Sequence, residues 1–201
     1  MKLRSIAAVA VLALATVAAH AQSQGNAGLY FNPVAIRVSN STADPSQSYA
    51  FLGQNSTSQV FYGYDFGGYY DFFHSGPIAA GIDVRESDLH ANNAMLRSFL
   101  VGARVSAKPF SRPFKPYAQI SVGVSTTKAP SSLVHISKFD YVLYGGVDYT
   151  LQKHIDWRVL EIGYGSLTTV SSANVGDGGG GTLNIPASNQ ISFSSGLVFR
   201  F

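Results

Sequence analysis

What most restricts this chain is a strict alternation of bulky apolar residues with small or polar ones, repeated along almost its whole length. In its last segment Ile191, Phe193, Leu197, Phe199 and Phe201 share one parity with Ser195, while Gln190, Ser192, Ser194, Gly196, Val198 and Arg200 share the other. Successive side chains of a β-strand point to opposite faces, so a period of two makes one face apolar and leaves the other polar. The split recurs upstream. Ile82 and Val84 alternate with Gly81, Asp83 and Arg85, and Phe99, Val101, Ala103 and Val105 with Ser98, Gly102, Arg104 and Ser106. Ile120, Val122 and Val124 alternate with Gln119, Ser121 and Gly123, and Phe139, Tyr141, Leu143, Val147 and Tyr149 with Asp140, Tyr144, Gly146 and Asp148.

Eight segments carry the pattern, at about 28–38, 60–73, 77–88, 94–107, 115–125, 138–150, 155–167 and 189–201. Gly, Pro, Asn, Asp and Ser punctuate them, which marks turns. The longest links, 39–59 and 168–188, lie after the first and seventh segments, and 126–137 follows the fifth. In an up-and-down meander these odd-numbered links share one end. The even-numbered links are short, and the short link near Asn92 is the exception among the odd ones.

The direction of the apolar faces follows from how little charge the chain has. Charged residues are 12% of it, about half the share typical of soluble domains. With the apolar faces inward, water would meet strands of Gly and Ser; with them outward, they need lipid. Tyr62, Tyr64, Tyr70, Phe72, Tyr141, Tyr149 and the terminal Phe residues fall towards strand ends, where amphipathic rings settle at a membrane interface. The expected fold is therefore all-β: an eight-stranded antiparallel up-and-down transmembrane β-barrel, long links at one end, outer-membrane lipid as its solvent, and a monomer. Eight strands enclose a bore that side chains fill, so a solute channel is not expected.

The polar face then lines the bore. Parity assigns Arg37, Asp65, Asp83, Arg85, Arg104, Asp148, Glu161 and Arg200 to it, a nearly neutral set suited to internal salt bridges. Arg158 and Glu161 differ in parity, so either one of them sits at a rim or a bulge intervenes.

The start of the chain reads as an export signal. Lys2 and Arg4 precede an apolar run from Ile6 to Ala19, and Ala19 and Ala21 stand at minus three and minus one of a cleavage site after Ala21. Residues 1–21 are thus expected to be cleaved, leaving 22–201 as one barrel domain. Losing Lys2 and Arg4 from the fourteen basic residues leaves twelve against eleven acidic ones, so the charge gives no argument for nucleic acid. Cysteine is absent, which excludes disulfides and thiolate metal sites.

Taken together, these residues resemble the small outer-membrane β-barrel proteins of bacteria, of the OmpA transmembrane-domain, OmpX and opacity-protein type. The resemblance rests on Gly196-Leu-Val-Phe-Arg-Phe201, on Lys115-Pro-Tyr-Ala-Gln-Ile-Ser-Val-Gly-Val124, on Tyr141-Val-Leu-Tyr-Gly-Gly-Val-Asp148 and on the stretch from His154 to Tyr164. It implies location in the cell outer membrane. It also implies that Gly196, Leu197, Phe199 and Phe201 form a signal read by the barrel-assembly machinery. Full OmpA-type proteins continue into a peptidoglycan-binding domain, which this sequence does not show.

No catalytic or cofactor motif emerges. His74, His90, His135 and His154 fall at turns or loops, and only His135 with Ser131 and Ser132 suggests a meeting with His90 and Asp88. Gly176 to Gly181 lacks the Gly-Lys-Ser/Thr of a phosphate loop. The expectation is a structural or adhesin-like surface protein, no enzyme and no cofactor, meeting any extracellular ligand through loops 39–59, 126–137 and 168–188. A lipid-modifying enzyme, a narrow pore and a secreted β-rich surface or fibre protein are the rival readings.

Overall fold

The computed structural model describes residues 26–40, 51–52, 56–107, 113–128, 130, 135–167 and 187–201. The expected cleavage site and most of loops 39–59 and 168–188 lie outside them. Eight strands follow in chain order: β1 (Ala27–Ser39), β2 (Ser58–Ser75), β3 (Ile78–Ala91), β4 (Ala94–Ala107), β5 (Phe114–Lys128), β6 (Ile136–Gln152), β7 (Ile155–Leu167) and β8 (Ser188–Arg200). Each pairs antiparallel with the next, and β8 pairs with β1, so the sheet closes into a barrel. Gly28 faces Arg200 and Val38 faces Gln190 across that seam. A closed sheet has no free edge, so its backbone groups bond to one another, as a hydrocarbon surrounding requires.

Two tight turns show why short links suffice. Asn92 and Asn93 join β3 to β4 with φ of 45° and 67°. This left-handed pair matches the twist of a two-residue hairpin, and Asn is among the few residues that tolerate it. Gly76, at φ 56°, does the corresponding work between β2 and β3.

The apolar faces point out. Ile82, Val101, Val105, Ile120, Val122, Leu143, Ile162 and Phe193 are all exposed, Ile120 by 54%. At the end where β1 begins and β8 finishes, Phe72, Phe73, Phe114, Trp157, Phe199 and Phe201 are exposed aromatics; towards the loop end they are Tyr62, Tyr64, Phe139, Tyr141 and Tyr164. A bulge puts Phe72 and Phe73 both outward, because Asp71 pairs with Gly81 and Phe73 with Ala80.

The bore is stratified. Its middle holds most of the buried charge. Towards the loop end Val34, Ile36, Val38, Phe61, Leu89, Ala94, Leu96 and Leu167 form an apolar layer, and Phe51 and Leu52 from the first link pack into it. This layer corrects one expectation. Arg37 does not face the bore; it is exposed on the outward face of β1, because the even positions Val34, Ile36 and Val38 turn inward to join Phe61 and Leu89.

An outward face bathed in lipid makes a specific demand. Ile120→Arg, in the middle of the belt, is expected to cost about 2–4 kcal/mol of stability, read as urea unfolding of the barrel in lipid vesicles. An unchanged midpoint would mean that this face does not meet hydrocarbon.

Candidate functional site

Six charged side chains in the middle of the barrel form a chain of alternating sign. Arg85, wholly buried on β3, grips Glu161 of β7 with both guanidinium ends, Nη1 to Oε1 at 2.6 Å and Nη2 to Oε2 at 2.7 Å. Its Nη1 also reaches Asp65 Oδ2 at 3.2 Å. Arg158 Nη1 lies 3.4 Å from Glu161 Oε2 and its Nε donates to Asp148 Oδ1 at 3.0 Å; Arg104 Nη2 donates to the other oxygen of Asp148 at 3.2 Å. Asp65, Arg85, Glu161, Arg158, Asp148 and Arg104 thus cross the bore in sequence of sign. Forked arginine–carboxylate bonds are the strong kind, and burial raises the cost of leaving any member alone.

Tyrosines complete the set. Tyr30 Oη accepts from Arg85 Nε at 3.1 Å and donates to Asp83 Oδ1 at 2.9 Å; Tyr117 Oη donates to Glu161 Oε2 at 2.6 Å. Arg104 lies between the rings of Tyr69 and Tyr117, 3.8 and 4.4 Å from their centroids, and Arg85 lies 4.0 Å from that of Tyr144. These rings need space on the neighbouring strand, and glycine provides it. A Cβ on Gly67 would sit 2.5 Å from Tyr30 Oη, and one on Gly146 2.5 Å from Tyr117 Cζ. Tyr30 faces Gly67, and Tyr117 faces Gly146, across adjacent strands.

A bulge brings Arg158 and Glu161 to the same face. Across β6, Val147 pairs with Leu160 and Asp148 with Arg158; across β8, Arg158 pairs with Gly196 and Glu161 with Ser194. Val159 is the extra residue. The bulge releases the carbonyl of Arg158 on the lipid side, where an orphan acceptor is costly. Ser195, the polar member of the outward face of β8, meets it: Ser195 Oγ donates to Arg158 O at 2.9 Å and accepts from Trp157 Nε1 at 3.2 Å.

Of the residues assigned to the bore by parity, Asp65, Asp83, Arg85, Arg104, Asp148 and Glu161 lie buried within it. Arg200 sits at the terminal rim, where it and Lys115 share Asp156 at 2.7 and 3.0 Å. Arg37 is outside. Parity reasoning missed Asp156; it left Arg158 open between a rim and a bulge, of which the bulge is found, and it placed on the polar face Asp140, which accepts from Gln190 Nε2 at 2.6 Å and from Ser125 Oγ. In β8 Leu197 and Phe199 are exposed on the outward side, and Phe201, just past the strand, is exposed as well.

Among the described residues His90 meets a carboxylate. His90 Nδ1 lies 3.7 Å from Asp88 on the outward face, where Arg97 already binds Asp88. His90 pairs with Met95, and Met95 with Lys128 at the end of β5, so the β5–β6 link that carries His135 begins two strands away from His90. Ser131 and Ser132 lie outside the described residues. Among the described residues no group of three or more His, Asp or Glu could hold a metal.

The outer membrane protein beta-barrel domain family matches residues 7–201. Among solved structures the chain is similar to Neisserial surface protein A, with TM-score 0.53 and 14% identity over 89% of this chain and 98% of that one. It is also similar to Ail, the attachment invasion locus protein of Yersinia pestis, in complex with the heparin analogue sucrose octasulfate. There the TM-score is 0.52, with 10% identity over 87% and 97% of the two chains. At these identities both likenesses are of fold. No curated protein sequence matches this one.

Two substitutions probe the buried charges and the bulge that aligns them. Glu161→Gln removes the charge that two arginines share and is expected to cost about 3–5 kcal/mol. Ser195→Ala is expected to cost about 1–3 kcal/mol by orphaning the Arg158 carbonyl, with Ser195→Thr restoring most of it. Unfolding in vesicles reads both, and wild-type stability in either would show that the corresponding bonds are not formed.

Proposed function

The chain belongs to the outer membrane protein beta-barrel domain family, and on that premise we propose that it is a bacterial outer-membrane protein acting by surface interaction at its loop end, without catalysis or conduction. The observation that carries this reading is the filled bore. A continuous acid–base chain occupies its middle, and the apolar layer closed by Phe51 and Leu52 lies across its loop end. A rigid scaffold of this kind leaves the connecting segments to do the binding.

The ligand class we assign is an anionic glycan. Lys138 is exposed at the loop end of β6, and Lys128 is half-buried at that of β5, so this edge offers cations to sulfate or carboxylate groups. The sulfated sugar held by Ail supports the same class. Export through residues 1–21 with cleavage after Ala21, a monomeric state, and recognition of β8 by the assembly machinery through Gly196, Leu197, Phe199 and Phe201 belong to the same proposal.

Displayed on a non-adherent bacterium, the protein is expected to confer binding to immobilised heparin that falls severalfold in a Lys128→Gln, Lys138→Gln double variant and weakens with salt. Equal binding by cells with and without the protein would sink the adhesive reading. In planar bilayers the purified barrel is expected to pass no current steps; regular unitary steps would replace this reading with that of a narrow pore.

A further inference from the structure

Arg37 is the outward-facing cation that the bore leaves unexplained. Its Nη2 donates to Ser58 Oγ at 3.3 Å, and the described residues offer it no carboxylate. Two and four positions before it on the same face of β1 come Ala35 and Pro33. With Tyr62, Leu160, Phe193 and Ser195 they line an open groove of about 480 Å³ in the outward surface. The groove has three local causes. Pro33 has no N–H to offer β8, and the partners recorded across this seam step from Phe31 with Leu197 to Val34 with Ser194. Ala35 is small. The β7 bulge carries Leu160 outward.

We infer that Arg37 and this groove form one site for a phosphate-bearing lipid of the outer leaflet, the guanidinium holding the headgroup phosphate and the groove one acyl chain. The groove lies on the membrane face with an almost wholly apolar lining, so an acyl chain is the occupant its surroundings supply. Arg37 stands on the loop-end side of it, where the headgroups lie if the loops face outward. Guanidinium is the side chain suited to bidentate phosphate binding, and the adjacent Tyr62 ring belongs at the same interface.

The chain has one tryptophan, so a Trp157→Phe, Phe193→Trp variant moves the fluorophore to the groove wall. Reconstituted in phosphatidylcholine vesicles, this reporter is titrated with phosphatidic acid or phosphatidylcholine carrying brominated acyl chains. Brominated phosphatidic acid is expected to quench with about fivefold higher apparent affinity, the effect of one cation at an anionic lipid surface. Arg37→Gln in the reporter is expected to abolish the preference, Arg37→Lys to retain part of it, and Ala35→Phe, which fills the groove, to abolish it with the charge in place. Heat-modifiable gel mobility reports whether each variant is folded. Equal quenching by the two lipids, or a preference that survives Arg37→Gln or Ala35→Phe in folded protein, would overturn the site.

Discussion

The forked contact between Arg85 and Glu161 is the interaction on which the inside of this barrel depends. Neither group has access to water, and each would cost several kcal/mol if left alone. Satisfying Glu161 draws in Arg158, Tyr117 and Ser194; satisfying Arg85 draws in Asp65 and Tyr30. These partners come from β1, β2, β5, β7 and β8, so one buried pair reaches round most of the circumference. The demand extends to the backbone. Glu161 and Arg158 face the same way through the extra residue Val159, that bulge frees a carbonyl towards lipid, and Ser195 covers it. Tyr117 reaches Glu161 across a strand that carries glycine at position 146.

Charge and apolar packing divide the bore between them, and the division bears on function. A layer of paired charges alone can admit water around imperfect contacts. Towards the loop end the apolar cluster from Val38 to Leu167, with Phe51 and Leu52, packs beside the bonded set of Asp140, Gln190 and Ser125. The interior is therefore committed to holding the barrel together. Outward apolar residues are committed to lipid. The surface interaction proposed above accordingly falls to the rim and its links.

The strands were legible from sequence because the lipid solvent enforces alternation on every one of them; the eight segments found by period fall inside or within two residues of the strands. Orientation was legible where one face carried charge and the other bulky apolar groups, as in β3, β4 and β8. It failed in β1, where Phe31, Pro33 and Ala35 on one face and Val34, Ile36 and Val38 on the other are equally apolar, and the lone charge at Arg37 misdirected the assignment. The inward Arg158 was hidden for another reason. A bulge is a relation between strands, and only the spacing of Arg158 and Glu161 hinted at it. The apolar layer left little mark outside β1, which supplies Val34, Ile36 and Val38, since it draws only one or two residues from each of β2, β3, β4 and β7.

Placing charges inside a barrel has a consequence for register that an apolar bore would not have. A one-residue slip exchanges the two faces of a strand. In β3 it would carry Asp83 and Arg85 into lipid and Ile82 and Val84 into the charged layer; in β7 it would undo Arg158 and Glu161 together. Such slips cost several kcal/mol on each side, so the charged strands set the register of their neighbours as well as their own. β1 carries no ionised group inside and is the strand most in need of another device. Tyr30, clamped between Asp83 and Arg85 over Gly67, supplies one. Arg37 supplies the other: a slip would drive its guanidinium into the layer formed by Phe61, Leu89 and Leu96, where nothing could pair with it. The residue that misled the reading of parity thus helps to hold β1 in the register that turns it outward.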